Sequence, residues 1–124
     1  ATEDVYDELR AVSFAPDGVH GWAVGSGGTI LKWPYEDPAA EGDEKRRWQP
    51  QTNAYTADLF AVYAGSQAEA WAAGAGGMLL HTTDGGVTWL KEKSPTGLGF
   101  RSITVNSAGV PYAVGDWGII VAYK

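Results

Sequence analysis

The chain has 124 residues, of which 44% are hydrophobic and 12% aromatic, so it can bury a core and is not a disordered polypeptide. Its formal net charge of −6 disfavours a nucleic-acid backbone or an anionic membrane as partner, because both are bound mainly through Lys and Arg. The absence of cysteine excludes a disulfide framework and a thiolate metal site.

Three similar stretches follow one another along the chain, at residues 9–50, 59–93 and 100–124, after an N-terminal segment of residues 1–8. The same landmarks return in each: an opening apolar residue, a second one three positions on, an aromatic residue and two glycines. They are Leu9, Val12, Trp22, Gly25 and Gly28; then Leu59, Val62, Trp71, Gly74 and Gly77; then Phe100, Ile103, Tyr112, Gly115 and Gly118. A period of about 40 to 50 residues made of short strands is typical of a propeller.

Within each stretch, short apolar runs separated by glycine-bearing turns predict antiparallel strands, and almost no helix is expected. The predicted strands are Leu9–Phe14, Gly21–Val24, Thr29–Trp33 and Arg46–Gln49, then Leu59–Ala64, Ala70–Gly74, Met78–Thr82 and Val87–Lys91. The third stretch has room for three strands before Lys124. We therefore expect an all-β protein of three propeller blades, with 4, 4 and 3 antiparallel strands, that forms one partial propeller domain over residues 1–124.

The first stretch contains a longer connection before its fourth strand. Gly28 to Trp48 spans 20 residues, against 12 from Gly77 to Trp89, so eight residues are inserted around YEDPAAEGDEKRR. Charges of both signs are mixed there without the spacing of a calcium loop, which favours a solvated loop.

The segment TTDGGVTW in the second stretch resembles the Asp-box, a hairpin motif of sialidase-type and related propellers. The matching residues are Thr82, Asp84, Gly86, Thr88 and Trp89. An Asp at the start of a tight turn accepts backbone N–H bonds, glycines permit positive φ, and the Trp packs between blades. The resemblance implies a structural role for these residues, away from any catalytic face.

Together with the recurring segments LRAV or FRSI, WAVG or YAVG, and GGTIL or WGIIV, this motif makes residues 8–124 similar to the photosystem II assembly-factor-like family of Asp-box propellers. The resemblance implies a non-enzymatic protein that binds other proteins during assembly, in an extracytoplasmic compartment such as the thylakoid lumen, periplasm or bacterial envelope. The arginine-bearing surface of that family matches Arg10 and Arg101 here. Phe60 occupies the position in the middle stretch and interrupts a continuous basic patch. A closed family member has seven blades, more than this chain can form.

No pattern in the sequence identifies an enzyme, a cofactor or a metal site. His20 and His81 lack a third ligand at metal spacing, and no glycine-rich loop precedes a helix. The serines lack an identifiable His and Asp arrangement. No apolar run reaches the length of a membrane span, and no signal-peptide pattern is present.

One turn departs from the repeat. It reads GSGG at Gly25–Gly28 and GAGG at Gly74–Gly77, but GDWG at Gly115–Gly118. In propellers this turn lies on the face where ligands usually bind, so Asp116 and Trp117 are candidate contact residues. The alternative is that Trp117 only covers an exposed end blade.

Three functions remain open from the sequence. The preferred one is a protein-binding or assembly module. The second is a carbohydrate-binding, lectin-like propeller in which exposed aromatics such as Trp33 and Trp117 stack on sugars. The third is an excised or engineered propeller fragment without activity of its own.

The three blades are also expected to associate with a second copy, because an open arc leaves an apolar sheet face bare at each end. The two ends differ, so the contact is head-to-tail, and two chains would close a ring of six blades. Residues 1–7 of one chain could then lie along Gly118–Tyr123 of the other.

Overall fold

A computed structural model describes residues 8–36, 42, 46–51, 53, 55–92 and 97–122. These ranges form three antiparallel sheets. Their strands are β1 (Leu9–Phe14), β2 (Gly21–Gly25), β3 (Ile30–Glu36), β4 (Arg46–Pro50), β5 (Leu59–Ala64), β6 (Ala70–Gly74), β7 (Leu79–Thr82), β8 (Leu90–Lys91), β9 (Phe100–Val105), β10 (Pro111–Gly115) and β11 (Ile120–Ala122). Sheet orders are β1-β2-β3-β4, β5-β6-β7-β8 and β9-β10-β11, which we call blades 1, 2 and 3.

The predicted all-β fold with 4, 4 and 3 strands is confirmed, and the strand bounds differ mainly at two places. β3 continues to Glu36 because it pairs with β4 beyond the predicted end at Trp33. β8 is limited to Leu90–Lys91, instead of the predicted Val87–Lys91, because the turn of the Asp-box occupies the residues before it. Most of the inserted loop, residues 1–7 and residues 123–124 lie outside the described residues, so the expectations for them stay predictions.

Alternating side chains let each internal sheet face pack against a neighbouring blade. We call the side of a blade that points to the next blade in sequence its forward face, and the opposite side its rear face. One buried cluster joins the forward face of blade 1 (Trp22, Val24, Ile30) to the rear face of blade 2 (Leu59, Val62, Ala72, Leu80). A second joins the forward face of blade 2 (Trp71, Ala73, Leu79) to the rear face of blade 3 (Phe100, Ile103, Ala113, Val121).

Each blade places the turn after its second strand against the residue that precedes its first strand. The backbone N–H groups of Ser26, Ala75 and Asp116 donate to the carbonyls of Glu8, Asp58 and Gly99, each at 2.9 Å. The glycine before each turn lies against the same carbonyl, so a Cβ at Gly74 would overlap the oxygen of Asp58. This contact fixes the turn and the start of the first strand at one end of every blade.

Within the described ranges, no helix has the length and hydrophobicity needed to cross a bilayer. In the described ranges, 3-10 turns of three residues each lie at Ser26–Gly28, Ala75–Gly77 and Asp116–Gly118.

Gly74→Ala should lower the free energy of unfolding by about 1–3 kcal/mol or more, because the new methyl group has to displace the Asp58 carbonyl. Urea unfolding followed by tryptophan fluorescence measures this change. Gly97→Ala is the matched control, since a Cβ there meets no atom within 4 Å. Equal stabilities of the two variants would contradict the proposed role of the contact.

Candidate functional site

A β-bulge interrupts the first strand of every blade near its beginning. Leu9 pairs with Gly25 and Ala11 with Val24, so Arg10 has no partner residue on β2. The same register shift leaves Phe60 out of the β5–β6 pairing and Arg101 out of the β9–β10 pairing. Bulges aim side chains away from the regular alternation of a strand, and they are frequent next to functional sites.

The three bulged residues come together across the blades. The guanidinium carbon of Arg10 lies 5.3 Å from the centre of the Phe60 ring, and that of Arg101 lies 5.0 Å from the same ring. Both distances are in the range of cation–π attraction. Phe60 therefore joins the two arginines instead of separating them, and we call Arg10, Phe60 and Arg101 the arginine row.

Each arginine of the row has a carboxylate neighbour within its own blade. Arg10 donates to Glu8 at 3.1 Å, and Nε of Arg101 donates to Asp116 at 3.0 Å. The side chain of Arg101 is exposed over 63% of its surface, so its ion pair is in water and contributes little to stability. The guanidinium groups can therefore exchange these carboxylates for acceptors on a partner.

Trp117 lies in the turn that follows β10, beside Asp116, and has an unusual backbone. Its φ of 61° places it in the left-handed region, where the equivalent residues are Gly27 with φ 67° and Gly76 with φ 68°. This conformation costs a non-glycine residue about 1–2 kcal/mol. The side chain is 92% exposed, so packing does not offset the cost. Such strain is commonly found at functional positions.

The sequence-predicted contact residues thus fall into one region. Asp116 connects Trp117 to Arg101, and Arg101 connects to Arg10 through Phe60. Trp33 is elsewhere: it pairs with Gly21 at the opposite end of blade 1 and its ring packs 5.5 Å from that of Trp48. Trp33 and Trp117 therefore do not form one sugar-stacking surface.

The Asp-box residues form the expected hairpin. Asp84 accepts bonds from the backbone N–H of Thr88 at 3.0 Å and from its hydroxyl, while Thr82 accepts from the N–H of Gly86 at 2.9 Å. Trp89 is buried with its ring edge-on to Trp22 of blade 1. The motif therefore connects two blades and lies apart from the arginine row.

The two histidines lie in separate places. His20 contacts Asp17 at 2.7 Å in a turn of blade 1. His81 stacks on Trp71 at 3.7 Å, with one ring nitrogen 2.9 Å from Glu69 and the other 3.2 Å from Glu92. In the described part of the chain, no group of three or more His, Cys, Asp or Glu residues is arranged to hold a metal ion.

Comparison with known proteins agrees with this architecture. The sequence profile of a protein family described as "Photosynthesis system II assembly factor YCF48" matches residues 4–124. The chain belongs to this family.

Two members of known identity show how much of a YCF48-type protein is present. The chain is 38% identical over 60 residues to the photosystem II stability/assembly factor HCF136, chloroplastic, from Oryza sativa subsp. japonica; the match covers 47% of this chain and 14% of the rice protein. A solved structure titled "YCF48 bound to D1 peptide" matches with a TM-score of 0.68 and 27% identity, over 92% of this chain and 36% of that one. The chain therefore spans about a third of the YCF48 chain and a seventh of the rice protein.

Two residues make contacts that the sequence pattern does not predict, Phe60 in the arginine row and Gln51 at the Asp-box. The sequence pattern indicates that Phe60 interrupts the basic patch, although its repeat position, equivalent to those of Arg10 and Arg101, is a usable signal. Gln51 had no sequence signal: its side-chain oxygen accepts bonds from the indole N–H groups of Trp22 and Trp89, both at 3.2 Å. Its amide donates to the Gly85 carbonyl at 3.2 Å, which attaches the Asp-box to blade 1.

Replacing Trp117 by glycine should relieve its left-handed backbone. We expect Trp117→Gly to be more stable than Trp117→Ala by about 1 kcal/mol, because both variants remove the exposed ring but only glycine adopts this φ without cost. Thermal or urea unfolding of the two variants measures the difference. Equal stabilities would show that the turn carries no such strain.

The stability of the protein should fall in acid because of Asp84. Bonds from the Thr88 hydroxyl and backbone N–H, and then from Thr82, lower the pKa of Asp84 from 3.8 to about 2. Since this pKa is lower in the folded state, the stabilisation is complete above the unfolded value and is lost as the pH falls toward 2. Asp17 behaves alike: the N–H groups of His20 and Val19 lower its pKa to about 2.

Asp84→Asn should therefore be less stable than the parent at pH 7, and its unfolding free energy should change less between pH 4 and about pH 2. Urea titrations at a series of pH values measure this slope. The double variant Asp84→Asn, Asp17→Asn should show a still smaller change of the unfolding free energy with pH. Unchanged slopes in both variants would contradict the assignment.

Proposed function

We propose that this chain is a non-enzymatic module that binds another protein through the arginine row and the turn of Trp117. The observation that carries the proposal is the convergence of Arg10 and Arg101, from blades 1 and 3, on the Phe60 ring of blade 2 through two cation–π contacts. An aromatic ring between two guanidinium groups is a common composition of protein-binding surfaces, in which Arg and aromatic residues are enriched.

The chemistry of the row indicates which part of a partner it contacts. Guanidinium groups bind carboxylates and backbone carbonyls through several N–H donors at once. The ring of Phe60 offers a flat apolar surface between them, and the exposed Trp117 extends it beyond Asp116. The order of the row is arginine, aromatic ring, arginine. It matches an extended peptide segment that has an apolar side chain with acidic or carbonyl acceptors on either side of it.

Family membership supports the same function. The YCF48 structure that resembles this chain contains a D1 peptide, and the rice relative is named a stability/assembly factor. We propose that the D1 peptide, or a peptide of similar chemistry, also binds here. We further propose an extracytoplasmic compartment, since the rice relative is chloroplastic and the family resemblance implies the lumen, periplasm or envelope.

The chain is also proposed to bind itself. Residues 1–124 would act as a single partial propeller domain, and two chains would associate head-to-tail into a six-bladed ring. The exposure of the large apolar side chains Leu9 and Val12 on blade 1 and Ile120 on blade 3 supports this.

Binding of the D1 peptide, measured by isothermal titration calorimetry, tests the proposed site. Arg10→Gln, Arg101→Gln and Phe60→Ala should each weaken binding about tenfold or more, because each removes charge-assisted bonds or the ring between them. Lys91→Gln is the matched control: it also removes one positive charge, but from the exposed outer strand β8 of blade 2.

Binding that is weakened equally by Lys91→Gln would indicate general charge attraction and contradict the site. Absence of peptide binding together with recognition of a glycan on an array, lost in Trp117→Ala, would favour the lectin-like function instead. If neither the peptide nor a glycan binds, the result would favour the third function, a propeller fragment without activity of its own.

A further inference from the structure

The carboxylates beside the two arginines of the row come from different parts of their blades. In blade 1 the carboxylate belongs to Glu8, which precedes β1, and it contacts Nη2 of Arg10 at 3.1 Å. In blade 3 the residue before β9 is Gly99, and the carboxylate belongs to Asp116 in the turn after β10. It contacts Nε of Arg101 at 3.0 Å. The two guanidinium groups are therefore held through different nitrogens.

The corresponding positions of blade 2 show that the fold does not require these pairings. Its turn begins with Ala75, and its bulged residue is Phe60. The acid before β5 is Asp58, and its carboxylate accepts instead from the backbone N–H of Gly27 in blade 1, at 2.8 Å. The turn and the bulge thus form without an Arg–carboxylate pair. In blades 1 and 3 the pairs act on the arginines and not on the shape of the blade.

A guanidinium group can bind a carboxylate through two parallel N–H bonds in two ways. One way uses the two terminal nitrogens, Nη1 and Nη2, and the other uses Nε and Nη2. Asp116 occupies Nε of Arg101, and the described residues make no hydrogen bond to its two terminal nitrogens. The terminal pair of Arg101 is thus complete. Glu8 occupies Nη2 of Arg10, the nitrogen that belongs to both pairs, so it competes with an incoming carboxylate.

Asp116 is fixed where it can orient Arg101. Its backbone N–H donates to the Gly99 carbonyl at 2.9 Å, and its own carbonyl accepts from the N–H of Ile119 at 3.2 Å. A Cβ on Gly99 would lie 3.0 Å from Oδ2 of Asp116, so the glycine leaves room for this carboxylate. The ring of Phe60 lies 5.0 Å from the guanidinium carbon of Arg101. Because the group is held at Nε and beside the ring, its terminal nitrogens have a defined direction.

We infer that the terminal nitrogens of Arg101 bind a carboxylate of the partner peptide, and that Asp116 is the positioning residue that presents them. Glu8 has the opposite effect, because it occupies a nitrogen of Arg10 that the peptide would otherwise use. The carboxylate belongs either to an acidic side chain or to the end of the peptide chain. This inference rests on the proposed function, and it places the acidic group of the peptide on the blade 3 side of Phe60.

Titration calorimetry with the D1 peptide tests the two opposite effects. Asp116→Ala should weaken binding about three- to tenfold, because Arg101 loses the bond that orients it. Asp116→Asn should bind the peptide more tightly than Asp116→Ala does, since its side-chain oxygen can still accept from Nε. Glu8→Ala, which also removes one carboxylate, should tighten binding about two- to fivefold because it frees Arg10.

These variants should fold like the parent. Ala75 occupies the position of Asp116 in blade 2, so the turn accommodates alanine. Circular dichroism and urea unfolding verify that the fold is retained. In an Arg101→Gln background, Asp116→Ala should change the affinity less than about twofold, because Asp116 acts only through Arg101.

Two modified peptides identify the source of the carboxylate. One carries an amide at its C-terminus, and the other has Asn and Gln in place of its acidic residues. The peptide that lacks the contacting carboxylate should bind the parent more weakly. Its affinity should also no longer depend on Arg101→Gln.

Other results overturn the inference and can be told apart from a failure of the proposed function. If Asp116→Ala tightens binding as Glu8→Ala does, both carboxylates only repel the peptide. If Asp116→Ala weakens binding equally in the Arg101→Gln background, the turn acts without the arginine. If both modified peptides remain sensitive to Arg101→Gln, the group that Arg101 binds is not a carboxylate. In these cases the arginine row remains a binding site, whereas a lack of effect of both Arg101→Gln and Phe60→Ala refutes the proposed function and the inference with it.

Discussion

The structure depends on one constraint: the apolar sheet faces between neighbouring blades must cover each other. Alternation along a strand sends successive side chains to opposite faces, so Ala61 points to blade 3 and Val62 to blade 1. A single blade cannot bury both of its faces, so the stability of the protein comes from the stacking of blades. For the same reason, equivalent repeat positions form each interface. Blade 2, covered on both sides, is the pattern to which the end blades can be compared.

The same stacking also determines where the candidate site lies. The contact between each glycine-bearing turn and the carbonyl before the first strand holds the turn and the bulge together at one end of the blade. Packing of neighbouring blades then brings the three bulged residues within cation–π distance. The bulges leave those positions outside the ladder, so Arg and Phe can alternate there without disturbing the core.

The backbone at Trp117 carries a conformational cost that its packing does not offset. Glycine at the equivalent position of the other two blades adopts the left-handed backbone without strain. An exposed tryptophan contributes no buried surface in exchange. Together with Arg10 and Arg101, it belongs to the region for which we propose peptide binding, on a protein that is acidic overall.

The sequence by itself determined the repeat, the three blades, most strand positions and the Asp-box, because these follow from local periodicity, glycine conformation and turn hydrogen bonds. It also identified Arg10, Arg101, Asp116 and Trp117 as candidates. Only the tertiary structure showed that Phe60 lies between the two arginines and that Trp33 lies at the other end of its blade. Only the structure found Gln51 between two tryptophans. Those facts depend on how separate blades pack and where a bulge shifts the register, and no local pattern records distances between residues far apart in the chain.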